Sequence, residues 1–101
     1  MIPFTTQRYA DISTAHVTRD DARLITEKGR DLDGIIAIYP EGWFCSVPVD
    51  DWCLEQVELW ERQGLSSNYI NLQRKLMEAG IYYARFDADG FPVSGLPTFN
   101  W

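Results

Sequence analysis

The sequence predicts an α+β domain: an antiparallel or mixed sheet of four to five strands with three helices packed mainly on one face. Three observations predict it. Residues 35–39 and 43–47 are short runs rich in β-branched and aromatic residues flanking the turn Pro40-Glu41-Gly42, which is the pattern of a hairpin. Two amphipathic helical patterns follow in tandem, closed by Gly64 and Gly80. The 101 residues suffice for one domain, 1–101, and a 46% hydrophobic fraction with 14% aromatics supplies it with a core of large rings.

The elements follow in order. Tyr9 to Ser13 reads as a first strand. Thr18 is a helix cap, with Asp20 and Asp21 in the first turn, where the helix dipole favours acids. Ala22, Leu24 and Ile25 are apolar, and Lys28 followed by Gly29 is a stop signal, so the first helix spans about Arg19 to Lys28. Ile35 to Tyr39 reads as a buried strand, being short, β-branched and bounded by Gly34 and Pro40. Trp43 to Val47 returns beside it, and Pro48 closes the pair.

The second helix opens on a hydrophobic staple: Val49 precedes the cap candidate Asp50, and Leu54 is the matching apolar residue. Cys53, Val57 and Trp60 then keep helical spacing. Ser66 or Ser67 caps the third helix, whose Tyr69, Leu72, Leu76 and Ala79 recur every three to four residues. Ile81 to Asp87 is the next strand. Phe91-Pro92-Val93 reads as a short edge strand, where proline is tolerated. The order is β-α-β-β-α-α-β with a place for one more β, and the aromatic tail ending at Trp101 is expected to dock on the body.

Charge narrows the function. A net charge of −6 argues against direct nucleic-acid binding and against an anionic membrane, both of which need basic surface. It favours a protein partner with a basic surface, or serves solubility alone. The longest apolar run, Ile35 to Tyr39, is far too short to span a bilayer. Residues 1–8 show no basic start followed by an apolar run, and two cysteines are too few for a disulfide scaffold; together these predict a reducing cytoplasm.

Chemistry-bearing residues are sparse. His16, the single histidine, sits near the end of the first strand, a position open to acid–base work, but no spacing supplies its orienting partner or nucleophile. It remains the alternative site, in a small enzyme using His16 with Asp11 or Cys45. Cys45 and Cys53 match no zinc spacing and are read as packing residues, so no metal and no cofactor is expected. Asp87-Ala88-Asp89-Gly90 resembles the start of a calcium loop, but no closing Glu follows. It is read as a turn.

Helix two carries Asp51, Glu55, Glu58 and Glu61 at spacings of four, three and three, which lays them along one stripe. The plain reading is a solvated face. The functional reading is a partial imitation of a phosphate backbone that occupies a basic groove on another protein. With Asp20 and Asp21 of helix one and an exposed Trp52, these residues form the candidate partner-binding set. Trp60 is assigned to the core.

Ser13-Thr14-Ala15-His16-Val17-Thr18, Gly42-Trp43-Phe44 with Val47-Pro48, and Phe86-Asp87 with Leu96-Pro97 and Trp101 together resemble an uncharacterised bacterial domain-of-unknown-function family. The resemblance spans nearly the whole chain and implies a context of plasmids, phages and genomic islands. It brings no activity and no functional residue. In that context the leading expectation is a non-enzymatic, anti-CRISPR-like inhibitor of a nucleic-acid-guided host defence complex. The others are the small enzyme and a homodimeric accessory or antitoxin-like module.

Overall fold

β-Branched and aromatic residues alternate along the hairpin and the last strand, and that alternation decides which face of the sheet is covered. A computed structural model describes residues 2–50 and 52–101. Its strands are β1 (Tyr9–Ser13), β2 (Ile35–Tyr39), β3 (Gly42–Ser46) and β4 (Tyr83–Asp87), and its helices α1 (Arg19–Lys28), α2 (Leu54–Gln63) and α3 (Ser67–Glu78). Two 3-10 turns, at 14–16 and 29–31, flank α1.

The four strands form one mixed sheet in the order β1-β4-β3-β2. β4 is central, parallel to β1 and antiparallel to β3. The register aligns Ile12, Phe86, Trp43 and Ile38 in one row and Ala10, Ala84, Cys45 and Ile35 in the next. Both rows face the helices, because side chains alternate along a strand. Phe86, Trp43 and Cys45 are buried in one cluster with Ile25 of α1, Trp60 of α2 and Tyr69, Leu72 and Leu76 of α3. The Trp43 and Phe86 rings stack at 5.2 Å, and burying a side chain the size of Phe contributes about 2–3 kcal/mol. The opposite face is open: Asp11 pairs with Arg85 at 2.6 Å, and Phe44 stacks on Tyr83 at 5.7 Å.

Local signals set several boundaries. Thr18 caps α1 by accepting the Asp21 amide, and Ser66 caps α3 by accepting the Tyr69 amide. Gly64 ends α2 at φ 100°, a left-handed turn that a Cβ would strain. Gly42 is needed for a different reason. A Cβ there would lie 1.7 Å from the Phe86 carbonyl oxygen, so only glycine lets β3 begin beside β4.

Four expectations are corrected. The second helix starts at Leu54, not at Asp50: after Pro48 the Val49 amide donates to the Val47 carbonyl, Val49 and Asp50 lie in a turn, and an extended Cys53 precedes the first helical residue. The staple is therefore absent, and Leu54 is 71% exposed. β2 is an edge strand rather than a buried one, with Ile36 55% exposed beside a bulge between Ile35 and Ala37. Residues 91–93 form no strand; the Phe91 carbonyl accepts the Ser13 amide instead, and the chain runs on as an extended tail.

Candidate functional site

The acids of α1 have opposite fates. Asp20 is exposed on the helix surface. Asp21 is 2% exposed and accepts from the Ser66 amide at 2.9 Å and from the Ser66 hydroxyl. Its carboxylate therefore sits at the amino end of α3, where the helix dipole and an otherwise unpaired amide both favour a negative charge. Asp21 is a clasp between α1 and α3. The expectation that it meets a partner is corrected by its burial.

On α2 the charged side chains lie at the surface. A turn of 3.6 residues places Leu54, Glu55, Glu58, Glu61 and Arg62 on one side of the helix and Gln56, Val57, Trp60 and Gln63 on the other. Exposure divides the same way: the first five are exposed and the second four are buried or half-buried. Trp60 Nε1 donates to the Asp33 carbonyl at 3.2 Å, and Gln63 Nε2 donates to the Asp31 carbonyl at 3.2 Å, so the inner side is tied to the loop before β2. No salt bridge reaches Glu55, Glu58 or Glu61 among the described residues. Asp51 lies outside the described residues. Trp52 is half-buried and meets Trp60 edge-on at 5.7 Å, so only part of it faces outward.

His16 is 1% exposed. The Val93 amide donates to Nε2 at 2.7 Å, so that nitrogen carries no proton, and Nδ1–H donates to the Pro97 carbonyl at 2.7 Å. Both ring nitrogens are thus used to hold the tail. The Phe99 amide, which donates to the Ala15 carbonyl at 2.7 Å, and Trp101 Nε1, which donates to the Val17 carbonyl at 2.9 Å, extend the same attachment. Asp11 is engaged by Arg85, and the Cys45 thiol by Gln73 Nε2 at 3.6 Å. The structure therefore joins His16 to neither of its suggested catalytic partners by a hydrogen bond.

Burial pushes the Cys45 thiol up to about 11 and the Tyr69 hydroxyl well above its ordinary value. A thiol held in that state is a poor nucleophile near neutrality. Cys53 is exposed while Cys45 is buried, and both are free. Among the described residues no group of three or more His, Cys, Asp or Glu side chains is placed to hold a metal ion, and no helix is long and apolar enough to cross a membrane. Sequence reasoning missed the roles of Asp21 and His16. Their partners lie 45 and 77–81 residues further along the chain, and no local pattern announces them.

No curated protein and no solved structure matches the chain. One family model does, over residues 9–101, which includes every strand and helix of the fold: the chain belongs to the family of unknown function DUF5983, as its C-terminal domain.

Proposed function

We propose that the domain acts by binding, presenting the outward side of α2 to a basic protein surface. The observation that carries this is the exposed Leu54 beside Glu55, Glu58 and Glu61, three carboxylates without a salt bridge among the described residues. An apolar anchor amid unpaired charge suits an interface: desolvating Leu54 gives affinity, while the acids steer the encounter and select a positive partner. Asp20 on α1 and the outer part of Trp52 extend the same candidate set.

The partner we propose is a nucleic-acid-guided defence complex of a bacterial host, with the domain encoded by a phage, plasmid or genomic island as its inhibitor. Such complexes carry a positively charged channel for their nucleic acid. A rigid acidic face that fills it would compete with the guide or target strand.

The experiment is direct. Purified domain is added to reconstituted guided nucleases, and copurification and cleavage are measured, alongside phage plating on a host carrying the system. Binding that weakens with salt and is lost in the Glu55→Gln, Glu58→Gln, Glu61→Gln triple variant is expected. If no guided nuclease binds the domain and phage gains no protection, the inhibitor reading is abandoned.

A dimeric accessory module is the second reading, favoured by the edge strand β2 with Ile36 and Ile38 exposed. Light scattering at micromolar concentration separates the two: a stable dimer supports the accessory module, a monomer the inhibitor.

A further inference from the structure

A groove of about 600 Å³ lies where α1 passes the β2–β3 turn, with the tail along its side. It is formed by residues far apart in sequence and includes none of the α2 acids. Four charged side chains line it. Arg19, Arg23 and Glu27 occupy successive turns of α1, and Glu41 belongs to the β2–β3 turn. None of the four is in a salt bridge among the described residues. At 1.5 Å per residue, Arg19 and Glu27 begin about 12 Å apart along the helix. The groove is therefore dipolar along α1, where the cations Arg19 and Arg23 precede the anion Glu27, and Glu41 adds a second anion from the β2–β3 turn.

Its aromatic lining is fixed before any ligand arrives. Tyr39 donates to Asp87 Oδ2 at 3.0 Å, and burial followed by the Asp87 carboxylate pushes its hydroxyl up to about 12, so the donor keeps its proton. Trp101 is held by its indole nitrogen on the Val17 carbonyl yet remains 56% exposed. Phe99 and Trp43 complete the lining. A site whose rings are already ordered loses little entropy when it fills. Its volume falls in the range of small-ligand pockets, in which apolar walls surround a few placed polar groups.

We propose that this groove binds a short peptide with free ends and a large apolar side chain. A wholly anionic ligand would meet Glu27 and Glu41, and a wholly cationic one Arg19 and Arg23. A ligand with opposite charges at its two ends satisfies both pairs. In an extended tripeptide the ends lie about 10 Å apart, close to the separation along α1. The peptide carboxylate pairs with the guanidinium groups, which suit planar two-oxygen acceptors. The ammonium faces Glu27 and Glu41, and the apolar side chain covers the exposed half of Trp101. This site is independent of the α2 face, and either proposal stands or falls without the other.

The tripeptide Ala-Phe-Ala with free ends is titrated into the domain, with backbone amides and the Trp101 indole N–H followed by two-dimensional NMR. Saturable shifts confined to α1, the β2–β3 turn and Trp101 are expected at about 1 mM peptide or below. Acetylating the amine or amidating the carboxylate is expected to weaken binding by at least about tenfold, each end pair being worth more than about 1.4 kcal/mol. Arg23→Gln should shrink the difference between acid and amide, and Glu27→Gln that between amine and acetyl, each leaving the other difference unchanged. Both substitutions lie at exposed positions; should either variant unfold, the blocked peptides on the unaltered domain carry the test alone. Equal affinity for free and blocked peptides, shifts elsewhere, or no shift at about 5 mM peptide overturns the proposal.

Discussion

Helices α1 and α2 are both ten residues long and both acidic in their first turns, yet they spend their acids in opposite ways. α1 buries Asp21 to hold Ser66 at the start of α3. α2 keeps Glu55, Glu58 and Glu61 in solvent. The difference teaches that an acid's position within a helix does not fix its role; what stands opposite it in space does. A carboxylate aimed at the unpaired amides of another helix becomes structure, and one aimed at water stays available for a partner.

Four predictions break or sharpen that contrast, in descending size. Asp21→Ala should cost about 3 kcal/mol, since it empties a buried site and leaves the half-buried Ser66 amide and hydroxyl without their acceptor, and should lower the melting temperature by about 15 °C. Calorimetry showing a loss no larger than that of a surface substitution would place Asp21 back among the free acids. His16→Ala should cost about 2 kcal/mol, from the cavity and two lost hydrogen bonds. It should also speed hydrogen exchange at the Val93 amide and the Trp101 indole, whereas a purely catalytic histidine would leave both unchanged.

The third prediction concerns alkaline pH. The Cys45 thiol holds its proton more tightly folded, at about 11, than unfolded, near 9.0. The stability it contributes is therefore intact below pH 9.0 and is lost as pH rises through 11. In denaturant melts the stability lost across that window should be about 1–2 kcal/mol smaller, and the pH slope correspondingly shallower, in Cys45→Ala than in the unaltered domain. An unchanged slope assigns the alkaline loss to Tyr39 and Tyr69. Smallest of all, Glu58→Gln should change stability by no more than about 0.5 kcal/mol, and toward gain, because it relieves repulsion from Glu55 and Glu61. A loss beyond that limit in a urea melt would mean that Glu58 holds the fold.

Some of this was legible in the sequence. The bounds of α1 and β1 follow from Thr18, the first-turn acids and the Gly29 stop, all of which act within a few residues. The hairpin follows from its turn and its β-branched runs. The start of α2 was not legible, because Asp50 looks like a cap until the turn at Val47–Val49 is known to point the chain elsewhere. Nor was the edge position of β2, since Ile35-Ile36-Ala37-Ile38 reads the same whether one or both sides of the strand are paired. The α2 acids were legible as a stripe. The dipolar groove was not, because it assembles a helix, a turn and a tail that never adjoin in sequence.

The central place of β4 has a consequence for how the chain is made. Tyr9 pairs with Tyr83, so the first strand leaves the ribosome long before the strand it pairs with exists. During translation β1 must wait, and although the β2–β3 hairpin can pair early, both neighbours of β4 join it only late, the slow kind of assembly expected of long-range pairing. A cut between α3 and β4 should accordingly yield two fragments that are unfolded apart and restore one another on mixing, a natural seam for a split reporter.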